Sequence, residues 1–480
     1  MRETMGTFQE EAREYQLQRQ AYWDRTNKNK PRRISNYYRA QVQQVYSHLV
    51  PPGSEVLELG CGRGDLLASL QPAIGVGVDF SRAAILQAQS QYPRLDFILA
   101  DAEGIDLGRR TFEFIVVSEL VNELWDVQAL LEQLQKHCTA QTRIIFNFYS
   151  HLWNIPLALA GLMKLTEPRL PQNWLTPKDM HNLLEIAGLQ PLRAWGEISA
   201  PVRVPLLSNF VNRYLTKLFP FRHLSLANFL VARRAPNCAI DRPSVSVIVA
   251  ARNESGHIDE LLARIPMMGS GTEIIFVEGH SSDDTYQAIE RAIKANPGCH
   301  CKLIKQPGVG KGDAVRAGFD LATGDILMIL DADITVPPED LPRFFLLMES
   351  GAAEFVNGVR LVYPMEGDAM RFANLVGNKF FSWAFSWLLG QSIRDTLCGT
   401  KVLWKTDYER IAKNRAYFGD FDPFGDFDLL FGAARLNLKI LEVPIRYRAR
   451  RYGETNISRW KHGWLLLRMV AFAAKRIKFI

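Results

Sequence analysis

Two stretches of this chain open in the same way. At 54–67, SEVLELGCGRGDLL, and at 243–255, PSVSVIVAARNES, an apolar strand runs into a turn and then into a helical pattern. A β-branched run that gives way to glycine or polar turn residues and then to a helix is how an α/β unit begins. A second such start after residue 240 requires two sheets rather than one. The stretch between, FLVARRAPNCAIDRPS (229–244), reads as a closing strand followed by a Pro-containing polar link, the composition expected of a domain boundary. A chain of 480 residues with 47% hydrophobic content can supply the cores, since domains usually run to about 100–200 residues. We therefore expect an N-terminal helical extension over 1–35, one α/β domain over 36–238 and a second over 243–480.

Composition removes several alternatives. Lys plus Arg number 57 against 51 Asp plus Glu, a net charge of +6, too mild to point to a nucleic acid partner. The cysteines form no CxxC pair, and Cys299-His300-Cys301 is only a weak zinc pattern. Residues 1–20, MRETMGTFQEEAREYQLQRQ, are polar and charged with no apolar core, so we expect no secretory signal and a cytosolic chain with reduced thiols. Residues 380–393, FFSWAFSWLLGQSI, carry no charge but fall short of the ~18 apolar residues of a membrane span, which suits an interfacial or core helix. Near the C-terminus Lys461, Arg468 and Lys475 recur every seven residues on one helical face, with Trp464, Leu467 and Ala471 elsewhere. A packed helix with a solvated stripe and a basic helix lying on an anionic leaflet both fit that pattern.

In the first α/β domain Val56 to Leu59 form the strand, and Gly60, Gly62 and Gly64 the turn before DLLASL. Such glycines let a ligand touch backbone at a helix N-terminus. The spacing is GxGxG preceded by Glu58, not the GxGxxG of a dinucleotide site, and so early an acid would repel a pyrophosphate. S-adenosylmethionine (SAM) has no phosphate; its ammonium and sulfonium are positive and its ribose hydroxyls need acceptors, so carboxylates at successive strand ends are the expected lining. The chain supplies Asp79 in GVGVDFS and Asp101 in LDFILADAE.

From VLELGCGRGDLL through FEFIVVSELVNEL the sequence resembles the class I SAM-dependent methyltransferases, over roughly residues 36–235. The resemblance implies a Rossmann-like sheet with Glu58, Gly60, Gly62 and Gly64 around the methionine part of SAM. It places Asp79 on the ribose hydroxyls, Asp101 with Ala102 at the adenine, and Ser118 and Glu119 toward the active site. No side chain announces the methyl acceptor, because SN2 transfer needs mainly alignment. Tyr149 and His151 follow a strand near the pocket, and His151 suits either a base or a structural role. The absence of an Asn-Pro-Pro-Tyr motif gives no support to methylation of DNA adenine.

In the second domain every strand ends in acid or glycine. SVSVIVAARNE ends at Glu254, and TEIIFVEGHSSDDT brings Glu278 and the Ser282-Asp283-Asp284 run. GVGKGDAVRAGFDLATGD contains Lys311, and GDILMILDADITVPPEDLP carries Asp331 and Asp333. Ligands of open α/β sheets sit off the strand ends, so Glu254, Glu278, Lys311, Asp331 and Asp333 should share one crevice. Two carboxylates at one strand end with a lysine nearby suit Mg2+ or Mn2+ on a diphosphate.

This half resembles family 2 glycosyltransferases of GT-A fold, in particular the polyprenyl-phosphate enzymes of the dolichyl-phosphate mannose synthase type. The resemblance implies that Asp331-Ala332-Asp333 is a DxD motif binding the metal and the diphosphate of a GDP- or UDP-linked nucleotide sugar, with Asp333 as direct ligand. It implies that Glu254 and Glu278 meet the nucleoside, that Asp283 lies in the base-binding turn, and that Asp395 orients substrate in the acceptor region. Arg360 and Arg371 fall at acceptor-phosphate positions. RYRARRYGETN (446–456) places Arg446, Arg448 and Arg450 on one face of a strand and resembles the family's Arg-x-x-Gly-x-Ser segment through Arg450, Gly453 and Thr455. Two positions depart from the family: Thr335 stands where it has Gln, and Gly279 where it has the second Asp of a base-binding pair.

A lipid phosphate, with its second pKa of about 6, is largely dianionic at neutral pH and needs cations rather than a general base. The expectation is thus an enzyme with two activities, peripheral at the cytoplasmic face of a membrane. It would make inverting, metal-dependent transfer of a sugar to a polyprenyl-phosphate acceptor and SAM-dependent methylation of a small molecule or glycolipid. The alternative is transfer to a hydroxyl, with Asp426 or Asp428 of FGDFDPFGDFDLLFG as catalytic carboxylate and the first domain a non-catalytic SAM-binding module.

Overall fold

The computed structural model describes residues 2–28, 33–163, 170–236, 242–360, 362, 372–415, 427–448 and 459–479. Arg371, Asp426, Arg450, Gly453 and Thr455, and the side chain of Lys461, lie outside the described residues. The chain divides into two compact units, Met1–Ala235 with Lys478–Ile480, and Pro236–Ile477.

The first unit opens with α1 (Arg2–Lys28) and α2 (Arg33–Leu49), and then alternates strand and helix: β1 (Glu55–Leu59), α3 (Asp65–Ser69), β2 (Ile74–Asp79), α4 (Arg82–Gln91), β3 (Asp96–Leu99), β4 (Phe112–Ser118) and α5 (Val127–Leu134). It closes with β5 (Cys138–Tyr149), α6 (Asn154–Leu162), α7 (Pro177–Ile186), β6 (Leu189–Glu197), α8 (Leu207–Arg213) and β7 (Ala227–Arg234). The strand order is β3-β2-β1-β4-β5-β7-β6. β1 is buried at its last four positions, as a strand covered on both faces must be. Alternate residues enter different cores, Leu57, Val76 and Val117 one, Val56, Val116 and Ile145 the other. Ser81 caps α4 by accepting from Ala84 N–H, and Thr176 and Asp179 form a reciprocal capping box on α7. β7 runs antiparallel to both neighbours, and Ala227 stands opposite Tyr149 of β5 and Glu197 of β6. The ends of β5 and β6 and the start of β7 therefore share one edge of the sheet, the edge at which β1 and β4 also end.

The second unit repeats the pattern with β8 (Val245–Ala251), α9 (Ile258–Arg264), β9 (Thr272–Glu278), α10 (Thr285–Ala295), β10 (His300–Lys305), α11 (Lys311–Leu321), β11 (Ile326–Asp331) and α12 (Leu341–Glu349). There follow β12 (Phe355–Val359), α13 (Phe372–Leu389), β13 (Lys401–Trp404), α14 (Lys405–Lys413), α15 (Phe427–Arg435), β14 (Ile440–Pro444) and α16 (Arg459–Ala473). The order is β10-β9-β8-β11-β13-β12-β14, with β13 antiparallel to both β11 and β12. The parallel half ends at β11, where the order reverses and a crevice opens outside the strand ends.

Three sequence expectations resolve here. The uncharged run at 380–393 is the second half of α13 and its exit, with Phe385 buried and stacked on Phe431 at 5.4 Å. α16 buries Leu466, Met469 and Ala473 while Trp464, Leu467 and Arg468, and Lys475 just beyond its end, are exposed, so one face packs and an apolar and basic surface remains. Arg446 and Arg448 do not lie on a strand: β14 stops at Pro444, and the Arg448 N–H donates to the Thr335 carbonyl at 3.0 Å instead of to a ladder. Among the described residues no helix is long and apolar enough to cross a membrane.

Candidate functional sites

The first site stands off β1, β2 and β3. Gly60, Gly62 and Gly64 all have positive φ, and a Cβ at Gly64 would lie 2.6 Å from the Phe97 ring, so this turn admits no side chains there. The turn is tied to β2 through Asp79, which accepts from Gly62 N–H and Ser81 N–H, both at 2.8 Å. Burial pushes the Asp79 carboxyl up against those two bonds. Glu58 is almost completely buried, and burial followed by the nearby Asp79 raises its carboxyl well above the usual range. Its Oε2 has no hydrogen-bond partner among the described residues. A buried carboxylate oxygen without a donor is what an ammonium group would satisfy, and the set fits the methionine end of SAM.

Asp101 accepts from Glu103 N–H at 3.0 Å through one oxygen and from Gln16 Nε2 at 2.6 Å through the other. Gln16 belongs to α1, whose participation nothing in the sequence announced. Tyr15, Gln16 and Arg19 line one side of a cleft whose other side is Gly60, Asp79, Asp101 and Ala102. α1 is fastened there at several points: Gln20 donates to the Phe80 carbonyl at 3.0 Å, Asp24 accepts from Ser81 Oγ at 2.5 Å, and Arg19 pairs with Glu123. These partners are far apart in sequence and α1 is polar, so local pattern carries no trace of them. Beyond β4, Glu119 sits at φ +58° and accepts from Tyr149 Oη at 2.7 Å, so the structure joins two residues named separately above. His151 is exposed, its ring edge-on to Trp174 at 6.5 Å, and no described contact links it to Ser118 or Glu119.

The second site stands off β8, β9 and β11. The loops after β8 and β9 are tied together where Glu254 N–H donates to Thr285 Oγ1 at 2.9 Å and Ser255 N–H to Asp283 at 3.4 Å, and Glu254, Glu278 and Asp283 each also hold a bond within their own loop. Glu254 Oε2 lies 3.0 Å from His257 Nδ1, Glu278 accepts from Ser281 N–H at 2.5 Å, and Asp283 accepts from Thr285 Oγ1. Asp331, the last residue of β11, accepts from Lys311 Nζ at 2.6 Å at the start of α11. Burial alone would raise the Asp331 carboxyl, but Lys311, helped by Lys401, holds it below the usual range. Lys401 is fully buried and donates to the Cys398 carbonyl at 2.6 Å. Asp333 is pushed the other way, first by burial and then by Asp331, while its Oδ1 accepts from Thr335 N–H at 3.1 Å and Thr335 Oγ1 at 2.7 Å. The residue between, Ile334, sits at φ +53°, a costly conformation for a β-branched side chain that only an over-determined loop maintains.

Arg360 and Asp395 form a fork, Nε to Oδ2 at 2.7 Å and Nη2 to Oδ1 at 2.9 Å, and the guanidinium lies 5.1 Å from the Tyr447 ring centroid. Asp395 is fully buried; burial opposes its ionisation, and Arg360 outweighs that and holds its carboxyl low. The pair thus unites a residue expected at the acceptor phosphate with one expected to orient substrate. Asp428, in the first turn of α15, lies 3.4 Å from Arg415 and 3.9 Å from Arg316, and no described contact brings it to Asp331 or Asp333.

Comparison with known proteins assigns a family model to each unit. Residues 56–141 match a methyltransferase domain, and residues 246–417 match glycosyl transferase family 2. A dolichyl-phosphate hexose transferase of Haloferax volcanii is 30% identical over 220 residues, which cover 46% of this chain and 89% of that protein. The chain belongs to glycosyl transferase family 2. This family 2 protein also carries a methyltransferase domain, and both halves have the mixed α/β sheet of their class, Rossmann-like and GT-A-like. An undecaprenyl-phosphate 4-deoxy-4-formamido-L-arabinose transferase of Klebsiella pneumoniae is 32% identical over 111 residues, covering 22% of this chain. The match spans only about a third of such relatives, 34% of that protein's length. A glucosyl-3-phosphoglycerate synthase of Mycobacterium tuberculosis, solved with Mn2+, UDP-glucose and phosphoglyceric acid, is 20% identical over 49% of this chain and 80% of that one, with a TM-score of 0.37, too low to carry an argument.

Proposed function

We propose that the glycosyltransferase unit transfers a sugar, with inversion, from a GDP- or UDP-linked donor to a polyprenyl-phosphate-type lipid at the cytoplasmic face of a membrane, and that the methyltransferase unit binds SAM and methylates a small molecule or glycolipid. The observation that carries the first part is Asp331 and Asp333 at the strand end where the sheet order reverses, with Lys311 against one of them. The similarity to a dolichyl-phosphate hexose transferase, which covers 89% of that protein, supports the acceptor class.

Two carboxylates offer the oxygen ligands that Mg2+ or Mn2+ prefers. Among the described residues no group of three or more His, Cys, Asp or Glu could hold a metal ion, so the remaining positions of such an ion would have to be filled by donor diphosphate and water. Asp333 would be the direct ligand, held by Thr335, and Lys311 would turn from Asp331 to the diphosphate. The ion would supply neutralisation of the leaving diphosphate. Arg360, aligned by Asp395, and Arg446 and Arg448 beside the Thr335 loop would hold the acceptor phosphate, with Arg371 and Arg450 completing the set. Exposed Trp464, Leu467 and Arg468 of α16 suit a membrane surface from which the lipid is reached. Glu58, Gly60, Gly62, Gly64, Asp79, Asp101, Ala102 and Ser118 would line the SAM site.

The test is transfer from a panel of GDP- and UDP-sugars to polyprenyl phosphate with Mg2+ or Mn2+, for the wild type and Asp333→Ala. Sugar on lipid phosphate that vanishes in the variant is the expected result. Donor hydrolysis without lipid product would reject the acceptor while leaving the metal site standing.

A further inference from the structure

The methyltransferase unit carries an apolar surface that neither proposed reaction uses. α6 buries none of its residues, and Ile155, Leu162 and Met163 are 72%, 81% and 69% exposed. A second stretch, 202–224, adds Leu206 at 89% and Phe219 at 75%. The two stretches are neighbours, since Trp153 Nε1 donates to the Leu224 carbonyl at 2.9 Å. Both also leave the same edge of the sheet, α6 after Tyr149 and the second stretch between Glu197 and Ala227, which the ladder places opposite each other.

Charge selects the partner. Residues 133–166 and 198–240 contain no Asp or Glu, while Arg203, Arg213 and Arg222 are exposed within the second stretch. A groove on another protein would call for one apolar stripe on a helix whose other faces are polar. α6, NIPLALAGL, is apolar nearly all round, and its nine residues span only about 14 Å, too short to cross a bilayer and suited to lying in one. Apolar side chains surrounded by arginines without acids match anionic headgroups over acyl chains.

We infer that the methyltransferase unit docks on an anionic lipid bilayer through α6 and the 202–224 stretch. The docked face is the edge at which Ser118, Glu119 and Tyr149 stand, so the methyl-transfer site opens toward lipid. The inference is independent of the lipid-phosphate reading of the other unit, whose own membrane contacts lie in α16.

Flotation of the full chain with vesicles of equimolar phosphatidylcholine and phosphatidylglycerol, and of phosphatidylcholine alone, tests it. Hydrogen exchange is followed in parallel over 152–163 and 202–224. The wild type should bind the anionic vesicles more tightly, with exchange slowed in both stretches. The triple variant Ile155→Glu, Leu162→Glu, Leu206→Glu should bind about tenfold or more weakly, as loss of three inserted side chains requires. A control with exposed apolar residues changed elsewhere, Ile186→Glu with Met267→Glu, should bind as the wild type does. So should Asp333→Ala, which separates docking from failure of the glycosyltransferase reading. Unchanged exchange outside the two stretches shows that the triple variant is folded. Equal binding of the triple variant and wild type overturns the inference. So does equal affinity for the two vesicle types, or protection of the stretches that grows with protein concentration without lipid, which would make a second copy the occupant.

Discussion

In the glycosyltransferase unit the Arg360–Asp395 fork joins two charged side chains away from solvent. Asp395 is fully buried, and its oxygens accept from Arg360 Nε, Nη2 and N–H and from Leu397 N–H. Removing one member of such a pair strands a buried charge, which costs about 3–5 kcal/mol. Asp395→Ala should lose that much stability in the denaturant transition that reports on this unit; a loss under about 1 kcal/mol would show the pair to be well solvated. The pH dependence follows from the depressed carboxyl of Asp395. Its stabilisation is complete above the unfolded value of about 3.9 and is lost as pH falls through the lower folded one, so the fork should survive mild acid. A second residue-scale prediction concerns Gly399, where a Cβ would fall on Asp331 Oδ2 and Lys311 Nζ. Gly399→Ala should lower kcat/KM for sugar transfer by about tenfold or more, because a misplacement of one ångström is enough to do so. Overpacking itself should cost only about 1–3 kcal/mol of stability. Unaltered kcat/KM would show that Asp331 need not keep its place.

Among the elements, α1 invites the plainest test. Gln16 occupies the Asp101 oxygen proposed for the adenine amino group, so on that reading SAM would have to displace it. Gln16→Ala removes a competitor with a bond to a charged group worth about 1.5–3 kcal/mol in other settings, and partial compensation by water should leave SAM binding roughly three- to tenfold tighter by calorimetry. Weaker binding would mean that Gln16 contacts the bound ligand instead. The sequence made the strands and their terminal acids legible, because a parallel strand buried on both faces must be apolar until it reaches the crevice, and Glu58, Asp79, Asp331 and Asp333 interrupt that rule at the strand ends. It did not show α1 crossing the first site, since a polar helix gives no sign of what it covers. Nor did it show that β13 is antiparallel, that Arg360 and Asp395 are partners, or that the backbone of Arg448 joins the Thr335 loop. Those depend on contacts between segments distant along the chain, and the periodicity of any one segment is silent about them.

At the scale of the whole molecule the two sites draw their residues from separate units. Every described side chain lining the cleft proposed for SAM lies between Tyr15 and Leu124, and the residues around Asp331 run from Glu254 to Arg448. Among the described residues none belongs to both sites, so the two activities should fail independently. Asp79 holds the glycine turn through Gly62 and Ser81 and is expected at the ribose. Asp79→Ala should weaken SAM binding by about tenfold or more, the value of a hydrogen bond to a charged group, and leave sugar-transfer kcat within about twofold. Asp333→Ala should do the reverse. If Asp79→Ala also slowed sugar transfer while the second unit kept its unfolding transition, the two sites would be energetically linked, and SAM would then have to alter donor affinity by the same factor by which donor alters SAM affinity. Calorimetric titration of each ligand in the presence of the other measures that factor directly, and uncoupled sites require it to be one.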